Sequence, residues 1–407
     1  MTKRRKVLSL FTGAGGLDLG LEKAGFDAAL CIEIDPSSRE TLRANRPRWK
    51  QAVPGDIHAL SSNDVMKQGG IRRRQLDLLA GGPPCQPFSK SGYWASGDAA
   101  RLSDPRAATL DAYLDLVEAT LPKALVLENV KGITFKGKDE GLKFLEERLA
   151  DLNKRAGTKY RPSVILINAA DYGVPQLRER VFIIAHRGGK NFTMPPPTHS
   201  PLSDKDIPPG LLPYTTAWDA IGDLDTTTWP DELNGRGKWG ALLPSIPEGE
   251  NYLWHTARSG GKNLFGWRTR YWSFLLTLAK KQPSWTIQAQ AGPATGPFHW
   301  KGRQLSCREL ARLQTFPDDY EIQGEDRTIK RQIGNAVPPA IGELIGLEIR
   351  RQFFGERVRR KLSLIPQANT PCPPPERPKR VRKRYLDLVG KHAEHPGTGQ
   401  GPRARLR

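Results

Sequence analysis

Cysteine is scarce in this chain, and the little there is does not cluster. Four cysteines, Cys31, Cys85, Cys307 and Cys372, occur in 407 residues, and no two are spaced as CxxC. That spacing argues against both a disulfide framework and a zinc site, and it fits a reducing cytosol. Long apolar runs are also missing. No stretch approaches the roughly 18 uncharged apolar residues of a membrane span. The basic N-terminus, Met1 to Lys6, is followed by an apolar run only from Val7 to Phe11, which argues against a secretory signal. Acidic residues are the third shortage. Against 63 Lys and Arg stand 43 Asp and Glu, a net charge of +20. This excess says nothing about fold, but it favours a polyanionic partner such as nucleic acid.

The chain is long enough for about two domains and a tail. Short apolar runs at Val7–Phe11, Ala28–Ile34, Leu76–Ala80, Ala124–Leu127, Val164–Asn168 and Val181–Ala185 read as strands. Helical patterns lie between several of them, at Leu17–Ala24, Pro105–Leu121 and Gly141–Leu152. Such alternation predicts an α/β domain with a mostly parallel sheet. From about Arg187 the texture changes: Pro195 to Pro197 and Pro208-Pro209 mark irregular chain, and eight of the ten tryptophans fall between Trp218 and Trp300. This predicts a smaller, loop-rich domain in which most tryptophans fill the core. Helical pattern returns at Ser306-Cys307-Arg308-Glu309, which has capping-box form, and a further apolar helix is expected from about Ala336 to Phe353. The last 52 residues, from Glu356, hold 14 Lys and Arg against 4 Asp and Glu, with much proline and glycine. Composition predicts disorder there, with either non-specific attraction to phosphate or no special role.

Three places carry candidate chemistry. The strand at Val7–Phe11 runs into Thr12-Gly13-Ala14-Gly15-Gly16 and then a helix, so the backbone can approach a ligand at a helix N-terminus. Glu33 ends the second strand, where a carboxylate can bind ribose hydroxyls, and Asp56 follows another loop. An adenosine-type cofactor and a purely structural turn both remain open on this segment alone, and the absence of GxGxxG counts against a dinucleotide. Gly81-Gly82-Pro83-Pro84-Cys85-Gln86-Pro87 directly follows a predicted strand, so a rigid loop holds one thiol at a strand end. That suits a nucleophile better than a buried structural cysteine. Glu128 also lies at a strand terminus, and Arg178 and Arg180 sit on one side of an extended segment before Val181–Ala185.

Six segments together resemble the DNA cytosine-5 methyltransferase family. They are Phe11 to Gly16, Pro84-Cys85-Gln86, Glu128-Asn129-Val130, Gln176 to Arg180, Arg308 to Pro317 and Gln332 to Pro339, in the family's order. The resemblance implies a Rossmann-like methyltransferase domain of α/β class with a mixed, mostly parallel sheet, at residues 1–186 and 326–355. It places an inserted target-recognition domain and return helix at 187–325, leaving 356–407 as the basic tail. S-adenosylmethionine is the implied methyl donor. Its site would comprise Phe11, Thr12, Gly13, Ala14, Gly15, Gly16, Glu33, Ile34, Asp56, Ile57, Gly82, Pro84, Asn335, Ala336 and Val337. Some members carry tryptophan where this chain has Ile34.

Cys85, Glu128, Arg178 and Arg180 are the implied catalytic set, with Arg178 bracing either the loop or the carboxylate. The loop from Phe88 to Asp104, with Lys90, Gly92, Trp94, Gly97 and Arg101, is expected to close over flipped DNA. Arg236, Lys238, Arg258, Lys262, Arg268 and Arg270 are candidates to read guanine or grip phosphate. The implied partner is double-stranded DNA, in a bacterial restriction–modification setting with a cognate restriction endonuclease acting on the same site. That setting follows from the absence of a long regulatory segment before the catalytic domain. A cytoplasmic monomer at the nucleoid is expected. The rivals are a tRNA cytosine-5 methyltransferase of the same architecture, a non-catalytic DNA-binding homologue and, more distantly, a nicotinamide dehydrogenase.

Overall fold

The computed structural model describes residues 4–83, 108–130, 140–201, 207–266, 272–359, 361–366 and 370–391. Its centre is a six-stranded sheet. The strands are β1 (Arg5–Leu10), β2 (Phe26–Ile32), β3 (Leu78–Gly81), β4 (Ala124–Asn129), β5 (Ser163–Asn168) and β7 (Glu179–His186), in the spatial order β2-β1-β3-β4-β7-β5. The two-residue strand β6 (Gln176–Leu177) lies outside this sheet. Only β7 runs against the others: β1 pairs in parallel with β2 and β3, β3 with β4, and β7 is antiparallel to both β4 and β5. The sheet is therefore mixed and mostly parallel, as the alternation of runs predicts.

Both faces are covered, and the period-two alternation of the strands sorts side chains between them. Leu8, Leu10, Leu79, Leu125, Leu127 and Ile183 pack on one face. That face is closed by helices α3 (Ser62–Gly69), α4 (Ala108–Thr120) and α5 (Glu140–Ala156) through Val65, Tyr113, Val117 and Leu149. Val7, Leu78, Ala80, Val126, Phe182 and Ile184 occupy the other face. There they meet α1 (Gly16–Lys23) and α8 (Pro339–Gln352), helices more than 300 residues apart in sequence. These two helices touch backbone to backbone: a Cβ on Gly20 would stand 2.2 Å from the Pro339 carbonyl oxygen. Helix α2 (Pro36–Asn45) starts where Asp35 caps the Ser38 N–H, with Pro36 pre-set for the first turn.

Beyond β7 the chain forms short 3-10 turns, two-residue strands and a five-residue helix at Ala217–Ile221. It returns through α6 (Cys307–Leu313) and α7 (Asp326–Asn335). The predicted capping box is present: Ser306 Oγ accepts from the Glu309 N–H at 3.2 Å, and Glu309 accepts from the Ser306 N–H at 2.7 Å. Trp218 and Trp300 are buried and pack on each other, whereas Trp272 is 53% exposed. The basic tail differs from its compositional expectation. Residues 370–391 are docked on the chain between β7 and α6, with Tyr385 only 3% exposed in a cluster with Leu242, Leu243 and Tyr252. Tyr385, with Val381 and Leu388 packed beside it, supplies apolar contacts that an average over the tail's composition conceals. No helix among the described residues is long and apolar enough to cross a membrane.

Candidate active site

The chain leaves β1 for β2 on one side, while β3 lies on the other. In an open α/β sheet that reversal opens a crevice at the carboxyl ends of β1 and β3, where ligands bind. The turn from Phe11 to Gly16 emerges from β1 into this crevice, and Gly82 emerges from β3. Phe11 holds φ of 54°, Gly13 56° and Gly15 77°, so three residues of the turn are left-handed and one of them, Phe11, carries a side chain at a cost. Gly16 is required for another reason: a Cβ there would stand 2.3 Å from the Val337 carbonyl oxygen and 3.0 Å from the Ala336 Cβ. The first and last segments of the predicted cofactor set are thus one packed unit. Thr12 ties the turn to β2 by donating its N–H to the Ile32 carbonyl at 3.2 Å, and the Ala14 carbonyl accepts from the Tyr320 hydroxyl at 2.8 Å.

Glu33 joins this unit. Its carboxylate accepts from the Gly13 N–H at 2.6 Å and the Asp35 N–H at 2.7 Å, and burial raises its pKa against those bonds. Ile34 beside it is 66% exposed. A Cβ on Gly55 would lie 2.3 Å from the Glu33 carbonyl, which brings Asp56 to the same edge. Asp56 Oδ1 accepts from the His58 N–H at 2.9 Å, and Ile57 is buried. Asn335 is exposed at the end of α7, followed by the buried Ala336 and Val337.

At the neighbouring strand ends a second cluster forms. The antiparallel β4–β7 register sets Asn129 opposite Val181, so Arg180 reaches past the end of β4. Arg180 Nε lies 2.9 Å from Glu128 Oε1, with both side chains largely buried. A Cβ on Gly82 would stand 3.0 Å from Glu128 Oε2, so the loop leaving β3 begins against that carboxyl group. Burial raises the Glu128 pKa, and the positive charges of Arg180 and Arg178 only partly counter it. Pro84, Cys85, the Phe88–Asp104 loop, Arg268 and Arg270 lie outside the described residues.

Residues 5–351 match the family of C-5 cytosine-specific DNA methylases. The chain belongs to that family. It is similar to the type II methyltransferase M.SacI of Streptomyces achromogenes, with 38% identity over 85% of this chain and 92% of that protein. The type II methyltransferase M.NgoFVII of Neisseria gonorrhoeae is 34% identical over 83% of this chain and 84% of its own. Among solved structures, a putative DNA modification methyltransferase encoded within an Escherichia coli prophage matches in fold. Its TM-score is 0.57 at 24% identity, covering 86% of this chain and all of that one.

Within this DNA cytosine-5 methyltransferase, Arg178 faces away from solvent at 1% exposure. Its guanidinium donates to the Gly334 carbonyl at 2.7 Å, the Ala336 carbonyl at 3.0 Å and the Ile287 carbonyl at 3.3 Å. Burial pushes its pKa well down. Gln314 Nε2 donates to the same Ala336 carbonyl at 2.6 Å and to Ile333 at 3.1 Å, while Gln176 hydrogen-bonds Gln314 and accepts from the Ile287 N–H. These Arg178 hydrogen bonds go to the backbone of Ile287, Gly334 and Ala336 and not to the Glu128 carboxylate, so the brace differs from both expected ones. Gln314 and Tyr320 were not singled out from sequence as site residues. Gln314 carried a signal, being a polar residue closing an amphipathic helix inside a matched segment, whereas Tyr320 carried none.

Proposed function

We propose that the methylase transfers a methyl group from S-adenosylmethionine to carbon 5 of cytosine within a specific duplex sequence, through a covalent Cys85–cytosine adduct. The observation that carries this reading is the Glu128–Arg180 pair set against Gly82, which supports it because a carboxyl group whose pKa burial raises and a guanidinium meet where the loop toward Cys85 departs. Carbon 5 belongs to an electron-poor ring and is a weak nucleophile. Addition of the Cys85 thiolate at carbon 6 moves an electron pair toward nitrogen 3 and leaves carbon 5 enamine-like. Glu128 hydrogen-bonds nitrogen 3 and the exocyclic amine; its raised pKa favours the protonated form that a donor to nitrogen 3 needs. Arg180 holds oxygen 2 and stabilises the charge that develops on the ring. After methylation, loss of the carbon 5 proton to a base, return of the nitrogen 3 proton to Glu128 and elimination of the Cys85 thiolate restore the aromatic ring. Arg178 acts as a positioning residue through the Gly334–Ala336 backbone.

The residues present fit the proposed methyl donor, which supplies an electrophilic methyl when bound. Gly13 offers left-handed backbone with no atom within 4 Å of the Cβ position, Glu33 offers a carboxylate for ribose hydroxyls, and exposed Ile34 offers an apolar face for adenine. Phe11, Thr12, Ala14 to Gly16, Asp56, Ile57, Gly82, Pro84 and Asn335 to Val337 complete that site in this reading. Because carbons 5 and 6 are shielded in a duplex, the cytosine is flipped out at a cost of a few kcal/mol, offset by pocket and phosphate contacts. The type II relatives support a restriction–modification setting, with a restriction endonuclease acting on the same site.

A duplex carrying 5-fluorocytosine tests the adduct, since fluorine cannot leave carbon 5 as a proton does. Incubated with S-adenosylmethionine, it should yield a denaturant-stable protein–DNA complex that Cys85→Ser abolishes. An undiminished complex in Cys85→Ser would remove the thiol from the mechanism, and trapping on tRNA alone would move the substrate to RNA.

A further inference from the structure

The tail presents a charge arrangement that its proposed disorder does not explain. Six of the eight residues from Arg377 to Arg384 are Lys or Arg, and all six are exposed. Among the described residues, none of the six has a carboxylate partner within ion-pair reach. Nevertheless, the segment is fixed at both ends to the inserted region. Upstream, Glu376 lies 3.1 Å from Lys280 Nζ, and that ammonium, only 2% exposed, also meets Glu248 at 2.8 Å and the Pro374 carbonyl at 3.1 Å. The Glu376 N–H donates to Glu248 at 2.8 Å, and the Lys379 N–H to the Pro244 carbonyl at 2.7 Å. Downstream, the Tyr385 ring stacks on Trp239 at 6.0 Å and 20°, and its hydroxyl donates to the Lys238 carbonyl at 2.8 Å.

Holding six like charges on a short docked strap is unfavourable by itself, because they repel one another and the chain loses freedom. A free tail would attract polyanions as well without that cost. What docking adds is position. We propose that residues 377–384 form a fixed phosphate-binding strap on the recognition domain, gripping the backbone of duplex DNA beside the target sequence. This rests on the reading of duplex DNA as the substrate. The strap lies beyond the segment that matches the family, which ends at residue 351. Lys238, whose carbonyl receives the Tyr385 hydroxyl, extends the same cationic surface. Contacts of this kind carry no sequence information; they set register and orientation and make affinity steeply salt-dependent.

The test uses the full chain and a defined duplex containing the methylated sequence. Each lost phosphate contact lowers the slope of log affinity against log salt by about 0.9, so neutralising three should lower it by about 2.7. The triple variant Arg380→Gln, Arg382→Gln and Lys383→Gln should therefore lose about 40-fold less affinity than wild type between about 50 and 200 mM salt. A second variant, Tyr385→Ala, keeps every charge but frees the strap; it should lose hydroxyl-radical protection on one flank of the target. A triple variant with the wild-type slope overturns the strap, as does a slope loss confined to single-stranded RNA of the same length. Methyl transfer by the wild-type chain is scored separately, so a failed strap with intact transfer is distinct from a failed reaction.

Discussion

Replacing Arg178 with methionine separates a positioning role from a catalytic one. The helix ending at Asn335 runs into Pro338 and Pro339, which have no N–H, so the Gly334 carbonyl cannot receive the bond from four residues on. Arg178 supplies that donor at 2.7 Å and a second to Ala336 at 3.0 Å, while its bond to Ile287 is longer at 3.3 Å. Losing a charge-assisted hydrogen bond and stranding a buried carbonyl costs about 2–5 kcal/mol, and methionine returns part by relieving a desolvated cation. The net expectation is about 3 kcal/mol, read as a lower urea midpoint with an unchanged slope. Because the stranded Gly334 carbonyl lies two residues before Ala336, whose own carbonyl keeps its bond from Gln314 and which packs on Gly16, affinity for S-adenosylmethionine should fall about tenfold, a 1.4 kcal/mol effect. At saturating cofactor kcat should fall less. A thousandfold loss of kcat with stability and cofactor affinity intact would refute the reasoning and put Arg178 on the cytosine.

Three further outcomes follow from the same structure. Asp18 is buried with Oδ1 unpartnered, and burial pushes its pKa from 3.8 to about 6. Its folded pKa is raised, so the native state carries a penalty of about 3 kcal/mol above pH 6 that disappears as pH falls toward 4. Asp18→Asn should therefore raise the melting temperature at pH 8 and give no gain near pH 4; a pH-independent difference would contradict this. Arg180→Met removes a charge that lowers the Glu128 pKa, so the Glu128 limb of the pH–rate profile should move upward; an unmoved limb means another group titrates. Gly20→Ala puts a methyl 2.2 Å from the Pro339 carbonyl and 2.3 Å from the Glu343 nitrogen, and should cost about 3 kcal/mol in urea unfolding. A change under 1 kcal/mol would show that α1 and α8 can separate freely.

The sheet was legible because its strands are continuous apolar runs. The boundaries at Val7, Ala28, Leu76 and Ala124 fall within two residues of those observed. Glu128 and Arg180 were legible as strand-end charges, since a polar residue closing an apolar run lies at the rim of a sheet. Their pairing was not, because it depends on β7 running antiparallel to β4, a long-range choice no local pattern encodes. The inward turn of Arg178 was equally invisible: its partners Ile287 and Gly334 lie more than 100 residues away. Composition misjudged the tail for a related reason. Averaged over many residues, charge and proline outweigh a few anchors, yet Tyr385 against Trp239, Lys280 between two glutamates and the packing of Val381 and Leu388 hold the strap in place.

The most direct test of the account is transfer of labelled methyl from S-adenosylmethionine to mixed-sequence duplex DNA, followed by sequencing that reports 5-methylcytosine, with wild type and Cys85→Ser side by side. The account predicts 5-methylcytosine at one short motif with the wild-type chain and none with the variant. Methylation on another base or atom, or transfer that survives Cys85→Ser, would contradict it.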